Sequence, residues 1–166
     1  MKKILAAAVA LGMSSIVMAA PAIPNNTIEF TGEIINGSCG ISADSSGQEV
    51  KLGSVQAGQF SGVGTQSTAT DFNIALVGCS TAVAKNAYFT FSGQAAEGNA
   101  ELFSVSEAQG VGIRLAGYKN GEESSAPVVL ADGNNVVKFS AKYEATSTDV
   151  VPGQANATAN FVIAYR

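Results

Sequence analysis

The chain contains no histidine and no tryptophan, only two cysteines and four prolines, and 13% of its residues are charged. Without histidine, Ser-His-Asp triads, Cys-His pairs and histidine-ligated metal sites are excluded. No G-x-S-x-G and no Walker sequence is present. Gly62-Val63-Gly64 lies in a polar stretch and lacks the strand-to-helix context that phosphate binding needs. Glu122-Glu123 sits in a turn and reads as a solvated acidic pair. The triplets Asn25-Asn26-Thr27, Asn36-Gly37-Ser38 and Asn156-Ala157-Thr158 match the glycosylation acceptor, a pattern common by chance. No basic patch with interleaved aromatics exists, so nucleic acid is not an expected partner. No catalytic, cofactor-binding or metal-ligating residue is expected, and the chain is not expected to be an enzyme.

Long hydrophobic runs are also scarce, and the one present is at the N-terminus. Residues 4–18 carry no charge, follow Lys2 and Lys3, and end at Val17-Met18-Ala19. A positive start, an apolar stretch and small residues at the end define a secretory signal peptide, expected over residues 1–20 with cleavage after Ala19 or Ala20. About 146 residues then remain, a size that suits one domain. Loss of Lys2 and Lys3 leaves 7 basic against 13 acidic residues, a formal charge of −6. In an exported protein the two cysteines, Cys39 and Cys79, are expected to pair, two buried thiols being the alternative. The bridge closes a loop of about 40 residues, worth roughly 4 kcal/mol in the chain-entropy model.

What the chain does contain is short alternating segments separated by turns. Residues 33–40 carry Ile34, Ile35 and Cys39 and read as an early strand; Val50 and Leu52 read as a short one. Phe72, Ile74 and Leu76 alternate with polar or small neighbours on the way to Cys79. Further strands are expected at residues 88–92, 111–115, 128–130 and 137–143, with residues 58–70 and 94–110 as loops. The total is about eight, the mark of an all-β sandwich of immunoglobulin-like or jelly-roll kind. The antibody Cys…Trp…Cys pattern is absent for want of tryptophan.

The longest alternation closes the chain. After Pro152-Gly153, every odd position from Ala155 is apolar: Ala157, Ala159, Phe161, Ile163, Tyr165. Such a period predicts one strand of roughly 35 Å with one buried face. The sequence stops one residue after Tyr165, so this strand is expected to be a sheet edge or to be covered by another chain. At the other end, Ile28 and Phe30 share a face opposite Thr27, Glu29 and Thr31. That segment is either a loose tail or a strand without a partner.

Three stretches together carry a resemblance. They are Ile28-x-Phe30-x-Gly32-x-Ile34-Ile35-Asn36 leading to Cys39, Phe72-Asn73-Ile74-x-Leu76 leading to Cys79, and Pro152-Gly153-x-Ala155-x-Ala157-x-Ala159-x-Phe161 with a penultimate Tyr165. The chain resembles chaperone–usher pilins, and among them type 1 fimbrial major subunits, over essentially the whole mature length.

The resemblance implies an incomplete immunoglobulin-like sandwich lacking its last strand, completed by a donor strand from the next subunit. On this chain it implies a donor extension at residues 21–32, with Asn26, Ile28 and Phe30 on the inserting face, and a pilin domain at 33–166. The groove for the donor or chaperone strand is expected along Gly153, Phe161, Ile163 and Tyr165. The implied partners are neighbouring pilin subunits in a homopolymer, a periplasmic chaperone and an outer-membrane usher. The implied destination is a fimbrium on the cell surface, where the chain is a structural subunit supporting adhesion. A minor adaptor or receptor-binding pilin has the same architecture. Asn26 departs from the small residue usual at that donor position, and Pro24 cannot donate a ladder hydrogen bond.

Overall fold

A computed structural model describes residues 28, 30–32, 34 and 37–166. It divides into two units, Met1–Glu33 and Ile34–Arg166. The signal peptide and Asn26 lie outside the described residues. In the first unit Ile28 and Phe30 are exposed and belong to no strand.

The second unit holds nine strands among the described residues: β1 (Gly40–Ile41), β2 (Thr70–Cys79), β3 (Asn86–Gly93), β4 (Ala95–Ala96), β5 (Asn99–Ser104), β6 (Val111–Leu115), β7 (Val128–Val129), β8 (Gly133–Ala145) and β9 (Ala159–Tyr165). They form two antiparallel sheets, of order β1-β2-β8-β6-β5-β4 and β7-β3-β9. Alternation decides which residues face inward. In β8, Val137, Phe139 and Ala141 are buried while Val136 and Lys138 are exposed. In β2, Ile74, opposite Val137, and Leu76 are fully buried.

Phe139 is the hub of the core. Its ring lies 5.1 Å from both Phe89 and Phe91, 5.3 Å from Tyr118 and 5.4 Å from Phe72. Each such pair adds about 0.5–1.5 kcal/mol beyond the area it buries. A disulfide joins Cys39 to Cys79 across the entry of the chain into β1. Ser38 reinforces it, its hydroxyl donating to the carbonyls of Ser80 (2.9 Å) and Ala84 (3.3 Å).

On the outer face of the larger sheet, Glu144 is buried between Arg114 and Gln66. Arg114 holds both carboxylate oxygens through Nε and Nη2, and Gln66 Nε2 donates at 2.6 Å. The Arg114 guanidinium holds the Glu144 carboxyl below its ordinary range, against the opposing effect of burial. Arg114 also reaches Glu101 at 3.6 Å, and Lys119 pairs with Glu101 at 2.8 Å. The chain of charges therefore links β8, β6, β5 and the turn after β6.

Four expectations need correction. Of the early strand expected at 33–40, the described residues show a ladder only at Gly40–Ile41; Ile34 is exposed and Glu33, Ile35 and Asn36 are outside the described residues. Val50 and Leu52 belong to no ladder. The expected loop at 94–110 contains β4 and β5, because Leu102 and Phe103 are core residues and Gly98, at φ 80°, closes the hairpin. The closing strand has seven residues and begins at Ala159, because its partner β3 ends at Gly93.

Candidate subunit-docking groove

Among the described residues β9 pairs on one side only, with β3. Arg166 and Asn86 exchange both of their backbone hydrogen bonds. Antiparallel alternation then turns the amides and carbonyls of Phe161, Ile163 and Tyr165 to the opposite, open edge. The same three residues point their side chains into the sandwich, so each lines the gap twice over, once through its backbone and once through its side chain.

The side chains show that the gap is apolar. Across the ladder Phe91 faces Phe161, Phe89 faces Ile163 and Ala87 faces Tyr165. The β3 members are 4%, 0% and 0% exposed, whereas Phe161, Ile163 and Tyr165 are only partly buried. Ala157 and Ala159, next along the inward face, are exposed. A complete sandwich would bury these positions against a further strand, since edges with open apolar faces are association sites.

The facing wall of the gap is residues 46–53. Val50 and Leu52 line an apolar cavity of about 210 Å³, whose other side is Phe161 and whose floor includes Phe72, Phe91, Phe103 and Leu115. The cavity opens into a groove of about 900 Å³ between residues 46–53 and 155–161. Residues 47–55 make no backbone hydrogen bond to any other described residue. Both walls thus present unpaired backbone to the groove, which fits a strand-shaped occupant. The Tyr165 hydroxyl donates to the Cys39 carbonyl at 3.4 Å and closes one end; burial pushes its phenol pKa up.

At the other end stands Gly153. It lies before β9, against the loop that follows β5. A Cβ at this position would stand 2.8 Å from the Ala108 amide nitrogen and 2.9 Å from the Glu107 carbonyl carbon. That close approach lets the amides of Glu107 and Ala108 and the Ser106 hydroxyl donate to the Gln154 carbonyl. Glycine here anchors the start of the closing segment, beside a second cavity of about 290 Å³ lined by Phe60, Val111 and Tyr143.

Phe161, Ile163 and Tyr165 are therefore brought together, Gly153 stands apart from them, and the structure adds the 46–53 wall. Alternation of Val50 and Leu52 was its signal in the sequence. Among the described residues no cluster of three or more His, Cys, Asp or Glu could hold a metal ion.

Residues 28–166 match the fimbrial protein family. The probable major fimbrial subunit LpfA of Escherichia coli O157:H7 is 38% identical over 99% of this chain and 97% of its own length. The type-1 fimbrial protein A chain of Escherichia coli K12 is 32% identical over 96% and 93%. Among solved structures, the P pilus rod subunit PapA superposes with a TM-score of 0.68 at 27% identity, covering 78% of this chain and all of PapA. A chaperone–usher pilus studied for rod uncoiling gives 0.73 at 25% identity, over 89% of this chain and all of that one. The chain belongs to the fimbrial protein family.

Proposed function

We propose that this chain is a structural subunit of a bacterial surface fimbria that polymerises head to tail by donor-strand complementation and supports adhesion. The observation that carries the reading is the open edge of β9, where Phe161, Ile163 and Tyr165 are half-buried beside fully buried partners on β3. The occupant is the extension at residues 21–32 of a second copy, inserting Asn26, Ile28 and Phe30. Ten residues, 22–31, extend about 33 Å, which matches the eleven groove-side residues 155–165. Burying an isoleucine and a phenylalanine contributes about 1.5–3 kcal/mol each, and each ladder hydrogen bond about 0.5–1.5 kcal/mol.

Before assembly the same edge is an aggregation hazard. A periplasmic chaperone covers it first, and an outer-membrane usher passes the subunit on, after export directed by residues 1–20. The domain at 33–166 is then the accepting body, and the product is a fimbrium at the cell surface. The protein is structural and not an enzyme.

The test is periplasmic expression with and without a pilus chaperone, comparing the full chain with a deletion of residues 22–31. The full chain is expected to need the chaperone and to form long SDS-resistant polymers, while the deletion stays a chaperone-bound monomer. A full chain that is a stable soluble monomer on its own would refute the proposal.

A further inference from the structure

The turn after β6 carries Asn120 followed by Gly121. Asparagine before glycine is open to spontaneous deamidation, because glycine has no Cβ to screen its amide nitrogen from the neighbouring carboxamide. In that reaction the Gly121 nitrogen attacks Cγ of Asn120. A C–N bond forms, the Cγ–Nδ2 bond breaks, and the proton shed by Gly121 leaves with Nδ2 as ammonia. Water then opens the cyclic imide, giving aspartate or isoaspartate and an added negative charge at residue 120.

Both reacting groups are occupied in the folded chain. Gly93 closes β3, and alternation from the Asn86–Arg166 pair turns its amide and carbonyl away from β9. Asn120 takes the place of a strand on that side. Its Oδ1 accepts from the Gly93 amide at 2.9 Å, and its Nδ2 donates to the Gly93 carbonyl at 3.2 Å and reaches the Leu102 carbonyl at 3.5 Å. The Gly121 amide, the nucleophile, donates to the Phe91 carbonyl at 2.7 Å, and the Asn120 amide donates to the Glu101 carbonyl at 3.0 Å. The residues before Asn120 pin the turn: the Tyr118 ring packs 5.2 Å from Phe91, and Lys119 pairs with Glu101 at 2.8 Å.

We propose that Asn120 is a deamidation site gated by folding, open in the unfolded chain and shut in the folded one, whose product cannot rebuild the contact that shut it. Aspartate or isoaspartate keeps the acceptors and loses the Nδ2 donor, so carboxylate oxygens confront the Gly93 and Leu102 carbonyls. The fastener lost stands at the end of β3, where Gly93 faces Ala159, the first residue of β9. A chain that lingers unfolded is therefore marked at the start of the β9 wall. Opening the turn breaks the bonds of the Gly93 amide, the Gly93 carbonyl, the Gly121 amide and the Asn120 amide. Each lowers the open population about two- to tenfold, so all of them together slow the folded chain more than about tenfold. Nothing in this gate depends on polymerisation, so it stands or falls apart from the proposed assembly.

The test incubates the folded full chain, in whatever assembly it purifies, beside a synthetic peptide of residues 115–126 in one mildly alkaline buffer. Mass spectrometry of the segment containing residue 120 reads the conversion. The folded chain should convert more than about tenfold more slowly than the peptide; a rate within tenfold would overturn the gate. Asn120→Asp writes in one product directly. Hydrogen exchange of residues 116–124 should quicken about two- to tenfold in that variant, and exchange equal to wild type would overturn the role of the carboxamide. Asn134→Asp is the control, because the Asn134 side chain only accepts, from the Gly78 amide at 3.4 Å. It adds the same charge and should leave residues 116–124 unchanged. If Asn120→Asp does not fold while Asn134→Asp does, the carboxamide contact is supported; equal failure of both counts against it.

Discussion

Phe161 should matter far more to a complemented subunit than to an empty one. In the body alone its ring is half-buried, packed 6.0 Å from Phe91 on one side and open to the groove on the other. Truncating a fully buried phenylalanine to alanine costs about 3–5 kcal/mol. About half of that, 1.5–2.5 kcal/mol, is therefore expected for Phe161→Ala in a chain lacking residues 1–32, measured on the marginally stable body after release from its chaperone. The other half should emerge only when a donor strand seals the groove. It should weaken a peptide spanning residues 21–32 by about ten- to seventyfold, at 1.4 kcal/mol per decade. The control is Leu102→Ala, a fully buried residue that is not part of the groove lining. It should cost about 2–5 kcal/mol of stability and leave peptide affinity within twofold. Denaturant titration gives the first quantity and peptide titration the second. If Phe161→Ala changes affinity by less than twofold, or Leu102→Ala changes it as much, the groove along β9 is not where the donor binds.

Glu144→Gln should destabilise the body by about 2–3 kcal/mol in denaturant titration, less than for a wholly buried pair because Arg114 is one-fifth exposed. The Glu144 carboxyl is held below its ordinary range. Its contribution is therefore present above the unfolded value near 4.3 and is lost as pH falls through the lower folded value. The stability difference between wild type and variant should accordingly shrink below about pH 4. Replacing Cys39 and Cys79 by serine should cost about 2–5 kcal/mol; circular dichroism melts would register it, and chaperone binding should fall because the bridge, β1 and the Ser42 and Ser45 contacts with Ala75 together tie the start of the 46–53 wall to β2. Gly153→Ala should cost about 1–3 kcal/mol, the usual penalty for forcing atoms into packed structure, because its Cβ meets backbone at 2.8 and 2.9 Å and not a flexible side chain. A Gly153→Ala protein as stable as wild type would show that the loop at 107–108 yields freely.

By itself the sequence determined the class of fold, the faces and the disulfide. Period-two alternation is a local property, so Ile74, Leu76, Val137 and Phe139 could be assigned to the core, and Phe161, Ile163 and Tyr165 to one face, before any contact was known. Two cysteines in an exported chain leave one pairing. The tertiary structure decided whatever depends on a partner. β9 begins at Ala159 because β3 stops at Gly93, although the alternation runs on unbroken from Ala155. Residues 46–53 alternate like a strand, yet find no described ladder and become a groove wall. β4 and β5 lie in a stretch too polar to read as strands, and only the burial of Leu102 and Phe103 reveals them. The need for glycine at 153 comes from Glu107 and Ala108, more than forty positions away. Side-chain period is written residue by residue along the chain, whereas the end of a strand, an empty groove and a close approach exist only between segments that folding has brought together.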